Sequence, residues 1–168
     1  MLAGTHVTLR PLMADDWDAL FTIAADPLLW EQHPAKDRWQ EPVFRAFFDE
    51  AMASRGAFAT IERASGALIG TTRFANHDPA AREIEIGWSF VARRCWGGAY
   101  NREAKRLMID HAFSFVDTVV FVIGEGNGRS RAAIERVGAR LRPGTVPRDP
   151  AAGPGRNVVY EIRREDWA

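Results

Sequence analysis

The amino-acid sequence predicts one α/β domain, of the α+β kind, on three observations. Apolar residues recur with period 2 in some segments and near 3.6 in others, so strands and helices share the chain. A β-like run (Ile84–Val91), a glycine loop, a long helix-period run and a β-branched run (Val119–Ile123) follow in succession, the order of a βαβ unit. The 168 residues suit one domain, and no internal repeat, linker or second domain divides them.

From the N-terminus, Val7 and Leu9 alternate with Thr8 and Arg10 before Pro11, a short first strand. Asp15 and Asp16 start a helix in which Trp17, Leu20, Phe21 and Ala24 fall at i, i+3, i+4 and i+7. It should end near Asp26-Pro27, because proline disfavours helical geometry in the residue before it. Residues 28–41 follow no period and read as a loop or a broken helix. Trp30, His33, Arg38 and Trp39 there form either a substrate-facing wall or a cover for core edges. Pro42 opens a second helix whose stripe of Phe44, Phe47, Phe48, Ala51 and Met52 reads as core. Residues 57–63 and 68–74 are strands joined by the hairpin loop Ala64-Ser65-Gly66-Ala67, with a polar loop around Asn76–Pro79 after them.

In the strand Glu83–Val91, alternation puts Glu83, Glu85 and Gly87 on one face and Ile84, Ile86 and Trp88 on the other. The helix predicted over 99–115 carries Tyr100, Ala104, Leu107, Met108, His111, Ala112 and Phe115 on one face. Val119–Ile123 reads as a buried strand. After Gly124–Asn127 comes a helix over Ser130–Val137, closed by Gly138. Residues 142–156, rich in Pro and Gly, read as a loop before a final strand, Val158–Arg163.

Composition excludes several functions. Lys+Arg and Asp+Glu are both 22, so no net charge recruits nucleic acid or an anionic membrane. No run approaches the roughly 20 apolar residues of a membrane helix, and MLAGTHVTLR lacks the order of a signal peptide, so a cytoplasmic protein is expected. His6, His33, His77 and His111 are scattered without metal-ligand spacing, and no metal is expected. The lone Cys95 excludes an intramolecular disulfide, and no His or acid is spaced to activate its thiol.

The junction of strand and long helix carries the chemistry. A helix start leaves N–H groups unpaired and carries partial positive charge, and glycines let an anion approach the backbone. Gly97 and Gly98, with Arg93 and Arg94 before them, therefore suit a phosphate or pyrophosphate; the alternative is a plain strand-to-helix turn. There is no G-x-x-x-x-G-K-[ST], and Gly97-Gly98-Ala99 cannot fill G-x-G-x-x-G. Arg94-x-x-Gly97-x-Ala99 resembles the acyl-CoA pyrophosphate loop, [Q/R]-x-x-G-x-[G/A], of the GNAT (GCN5-related) N-acetyltransferases. Glu85-Ile86-Gly87-Trp88 and Trp96–Ala104 resemble the ribosomal-protein-alanine N-acetyltransferase (RimJ/RimL-like) branch. Asn127-x-x-Ser130 leading to Gly138 resembles a second signature of the family.

The resemblance implies a mixed central sheet of about seven strands, splayed between its fourth and fifth strands and flanked by about four helices. It implies acetyl-CoA bound by Phe90, Val91, Arg93, Arg94, Cys95, Trp96, Gly97, Gly98, Ala99, Tyr100, Asn127, Arg129 and Ser130. Acyl transfer to an amine needs a neutral nitrogen, so a base must take a proton. Glu85 is the candidate base and Glu83 the second choice; a solvated or ion-paired strand glutamate is the alternative for Glu85. Backbone N–H groups near Phe90 and Val91 would polarise the carbonyl. The tyrosine that many relatives use as acid is replaced by Ile134, leaving Ser130 as acid or as a helix cap, and Asn127 as support for CoA or as a cap.

These readings converge on a cytoplasmic acetyl-CoA-dependent N-acetyltransferase acting directly on a primary amine, a protein N-terminus or a small molecule. The rival is a CoA-binding module without activity. Exposed tryptophans in the first half would fit a homodimer surface.

Overall fold

A computed structural model describes residues 1–148 and 154–167. Its strands are β1 (Leu2–Ala3), β2 (Val7–Pro11), β3 (Ala57–Glu62), β4 (Leu68–Asp78), β5 (Glu83–Val91), β6 (Thr118–Gly124), β7 (Arg140–Leu141), β8 (Val146–Pro147) and β9 (Arg156–Arg163). The helices are α1 (Trp17–Ala24), α2 (Glu41–Ser54), α3 (Tyr100–Ala112) and α4 (Gly128–Glu135). The strands form one sheet in the order β1-β2-β3-β4-β5-β6-β9-β7, with β8 on β9. Among the described residues six strands of five or more residues carry the sheet, and β1, β7 and β8 add two-residue pairings too short for alternation to reveal.

Neighbouring strands pair antiparallel except β5 with β6, which run parallel as the α3 crossover requires. That parallel ladder is short: Glu83, Ile84 and Glu85 register with Thr118, Val119 and Val120 and no further. Beyond Glu85 the two strands part, which opens the sheet at the expected place.

Two apolar clusters cover the sheet. One joins Val7, Leu9, Ile69, Ile84 and Ile86 to Met108, Ile109 and Ala112 of α3. The other joins Leu20 and Ala24 of α1, the phenylalanines of α2, Trp30, Ala57, Ala59 and Phe90. Phe44 and Met108 are fully buried, and truncating such a side chain to alanine typically costs about 2–5 kcal/mol. Among the described residues no helix is long and apolar enough to cross a membrane.

Several boundaries move. β4 runs on to Asp78, through what reads in sequence as a polar loop. α3 stops at Ala112, and its buried stripe is Ala104, Lys105, Met108, Ile109 and Ala112, so His111 and Phe115 are exposed rather than on the core face. Trp88 does not share a face with Ile84 and Ile86. It has φ 49° and marks a bulge at which the β4 register jumps from Arg73↔Gly87 to Thr71↔Phe90, sending its ring to the α2 side. The segment 142–156 contributes β8; residues 149–153 of that predicted loop lie outside the described residues. Trp30 is buried and Trp17 stacks on Phe21, leaving Trp39 as the exposed tryptophan before α2.

The N-terminal edge is tied to α3 by one side chain. The Glu103 carboxylate accepts three consecutive backbone N–H groups, from Thr5, His6 and Val7, each at 2.7 Å.

Candidate active site

After β5 the chain makes a 3-10 turn, Arg93–Cys95, and reaches α3 through Trp96–Ala99. Gly97 has φ +74°, a left-handed conformation that favours glycine, and nothing lies within 4 Å of where a Cβ would stand. The N–H of Glu103 is the first in α3 to bond back, to Ala99 O at 2.8 Å, so the turn before it presents unpaired N–H groups to the loop. Backbone geometry at this turn therefore leaves room for an anion to approach.

Its arginines are already engaged. Arg94 forks onto Glu62, Nη1 to Oε1 and Nη2 to Oε2 both at 3.2 Å, and this hydrogen bonding leads in holding the Glu62 carboxyl down to about 2. Arg93 pairs with Asp26 at the end of α1. A phosphate entering the loop must share or displace these carboxylates. Trp96 donates Nε1–H to Val91 O at 3.2 Å, and the Arg129 guanidinium lies 3.9 Å over its ring. Arg129 also donates its backbone N–H to Gln32 at 3.1 Å, so α4, the loop and the 28–32 segment meet at the mouth of the splay. Cys95 is buried, and burial pushes its thiol up, away from reactivity.

Inside the splay, Ala92 N–H donates to Ile69 O at 2.7 Å. The alternation of an antiparallel ladder then turns the Phe90 N–H toward β4 and the Val91 N–H toward β6. Of the two expected carbonyl-polarising groups, Val91 is the one that faces the gap. Gly70 permits the close approach, since a Cβ there would stand 2.1 Å from Phe90 O. Lys105 of α3 is buried and reaches both walls: it donates to Ser89 Oγ on β5, lies 3.4 Å from Thr72 Oγ1, and sits 5.8 Å from the Phe121 ring of β6. Burial pushes its ammonium down to about 7.

Glu85, at the last rung before the strands part, is 7% exposed. Asn76 donates to its Oε2 at 2.7 Å. Burial raises its carboxyl above the ordinary range, against the opposing pull of Asn76 and Arg73. Glu83 is ion-paired instead, with Arg142 Nη2 at 2.5 Å from its Oε2. Asn76 sits at φ 50° beside a second register shift in β4, which aims its amide at Glu85. Sequence reasoning missed Asn76, and also Arg73, Glu62 and Lys105.

The second signature lands at α4. Asn127 is its cap, accepting Ser130 N–H at 3.2 Å. Among the described residues the Ser130 hydroxyl has no hydrogen-bond partner. Ile134 is buried in the core. Of the two tyrosines, Tyr160 is committed, donating to Glu135 Oε1 at 2.6 Å and accepting from Arg131 at 3.1 Å. Trp30 proves structural, its Nε1–H on Ala24 O at 2.7 Å and its ring against Phe90. A cavity of about 680 Å³ between Arg142, Glu161 and Arg164 lies by Asp117 and Thr118, at the closed end of the β5–β6 pair and away from the loop.

Residues 6–140 match the family model "Acetyltransferase (GNAT) domain". The chain belongs to the GNAT family. Solved GNAT-fold structures agree along its length. An acetyltransferase from Agrobacterium tumefaciens is 26% identical, with 97% of this chain and 94% of that one covered and a TM-score of 0.76. A GCN5-related N-acetyltransferase from Brucella melitensis shares the fold at TM-score 0.85, with 24% identity over 99% of this chain and 79% of that one. A Vibrio cholerae protein provisionally described as a ribosomal-protein-serine acetyltransferase shares it at TM-score 0.73, with 18% identity and 96% of each chain covered. GNAT domains use acetyl-CoA as co-substrate, and membership of the family supports acetyl transfer in general.

Proposed function

We propose that the protein transfers acetyl directly from acetyl-CoA to a primary amine, with Glu85 as general base. The observation that carries this reading is the buried Glu85 carboxylate, held by Asn76 where β5 and β6 part. A raised carboxyl can take a proton from an ammonium more readily than an ordinary glutamate, directly or through water. Bound acetyl-CoA supplies the activated acyl group. The Gly97 loop and the first turn of α3 would hold its pyrophosphate, the Val91 N–H would polarise the carbonyl, and the open Ser130 hydroxyl would give a proton to the departing sulfur.

Ile134 favours one rival, a CoA-binding module without turnover, because the usual acid is missing. The free hydroxyl of Ser130 supports the active reading. The branch resemblance and the Vibrio relative make protein N-termini one acceptor class, with small amines the other.

The test is thermal unfolding with and without acetyl-CoA, then free-thiol release over a panel of amines and N-terminal peptides. A ligand at about 100 times its Kd adds roughly 2.7 kcal/mol to stability, which should appear as a clear rise in Tm. Turnover should fall as pH drops through the raised Glu85 carboxyl, and that limb should vanish in Glu85→Gln. A Tm shift without thiol release for any amine would leave the binding module standing.

A further inference from the structure

We propose that the acceptor is a small amine with a carboxylate close to its nitrogen, an amino-acid-like substrate, and that Arg73 reads that carboxylate beside Glu85. The inference rests on the N-acetyltransferase reading above and narrows its acceptor.

Arg73 is 2% exposed on β4. Its Nη2 donates to Glu50 of α2 at 2.8 Å, and its guanidinium lies 4.0 Å over the Trp88 ring. Nε and Nη1 are buried with no hydrogen-bond partner. Such donors are rarely left unmet in a folded protein, so these two nitrogens suit an oxygen acceptor such as a carboxylate. Glu50 does not fill the need, because it takes one nitrogen and its side chain is 64% exposed. A second cation adds to the field: Arg38 lies over Trp30 and Phe47, where it feels Arg73, Glu50 and the exposed Asp37.

The register puts this donor beside the base. Arg73 pairs with Gly87 and Ala75 with Glu85, so Arg73 and Glu85 are diagonal neighbours on one face, about 7–8 Å apart. Gly87 leaves the spot between them open: a Cβ there would meet one atom within 4 Å, Glu85 Oε1 at 3.3 Å. An amine at Glu85 and a carboxylate at Arg73 would share that space, as the two ends of an amino acid do. In the transfer, the nitrogen gains the acetyl carbon and loses a proton to Glu85, CoA leaves as the thiol, and the carboxylate forms no bond. A polyamine would meet the arginines as a like charge and be disfavoured.

The experiment is acetyl-CoA turnover on matched sets: each common α-amino acid, its C-terminal amide, its decarboxylated amine and a tripeptide beginning with it. The free acid should exceed its amine and amide at least tenfold in kcat/KM. In Arg73→Gln that ratio should fall toward one, mainly through KM, while the acetyl-CoA shift in Tm persists and shows that the variant folds. If it does not fold, Gly87→Ala fills the open spot and should raise KM more for the acid than for the amine. Amines, amides or tripeptides turned over as well as the acids, or a preference that survives either variant, overturns the inference and leaves N-acetylation intact. No turnover of any amine, with acetyl-CoA still bound, removes the parent reading and this one with it.

Discussion

At the α3 end of the splay the arginines are solvent-exposed and already paired, Arg94 with Glu62 and Arg93 with Asp26, whereas on the opposite side Arg73 and Glu85 are buried, Glu85 held by Asn76 and Arg73 with two nitrogens unmet. The loop end works through backbone: a left-handed glycine and a helix start whose N–H groups are free by geometry. The Glu85 end works through side chains whose charge the surroundings make costly. The first kind of site tolerates exchange of its charged residues, since ion pairs made by exposed arginines contribute little. The second does not, since each buried charge depends on the few groups around it.

The contrast can be broken hardest at Glu85. Glu85→Gln should lower kcat by about 100-fold or more, the usual scale for a general base, with acetyl-CoA affinity nearly unchanged. Stopped turnover assays with calorimetric binding check both halves, and equal loss of binding and rate would merge the two regions.

Lys105 comes next, as the buried charge between them. Folding lowers its proton affinity, so between pH 7 and 10.5 the unfolded chain holds a proton that the folded chain releases. Stability should therefore rise with pH across that window, by roughly a few kcal/mol, relative to Lys105→Met. Parallel denaturation curves for both proteins would refute the burial argument.

At the loop, Gly97→Val meets no atom but must adopt φ +74°, a strain of about 1–2 kcal/mol. Acetyl-CoA affinity should drop about tenfold while the response to the amine is kept.

The smallest effect belongs to Glu62→Gln. Freeing Arg94 and removing a carboxylate beside the proposed phosphate site should tighten acetyl-CoA about threefold, less at high salt, since such a pair contributes little. Weaker binding would show that Glu62 positions Arg94 rather than competes for it.

The loop was legible in the sequence and the surroundings of Glu85 were not, for a physical reason. Gly97 and the start of α3 are local features, and the flanking strand and helix keep their periods long enough to be read. Glu85 was readable as a mid-strand carboxylate. Its neighbours were not: Asn76 sits on a bulge that looks like loop, and Trp88 changes face at another, where period-2 reading fails. Lys105 looks like an ordinary helix-surface charge until the packed stripe proves to run through Ala104 and Lys105 together. The Arg94–Glu62 pair joins residues 32 apart, and no spacing rule anticipates that.

The Glu103 carboxylate carries a consequence for how the chain is made. It clasps Thr5, His6 and Val7 across 96 to 98 residues of sequence. At about 5–20 residues per second a ribosome needs roughly 5–20 s to pass from the first partner to the second. For that interval the amides of residues 5–7 lack their native acceptor, and the N-terminal edge waits on a helix not yet synthesised. Loss of the clasp in Glu103→Ala should thus slow the yield of native protein during translation more than it alters the finished site.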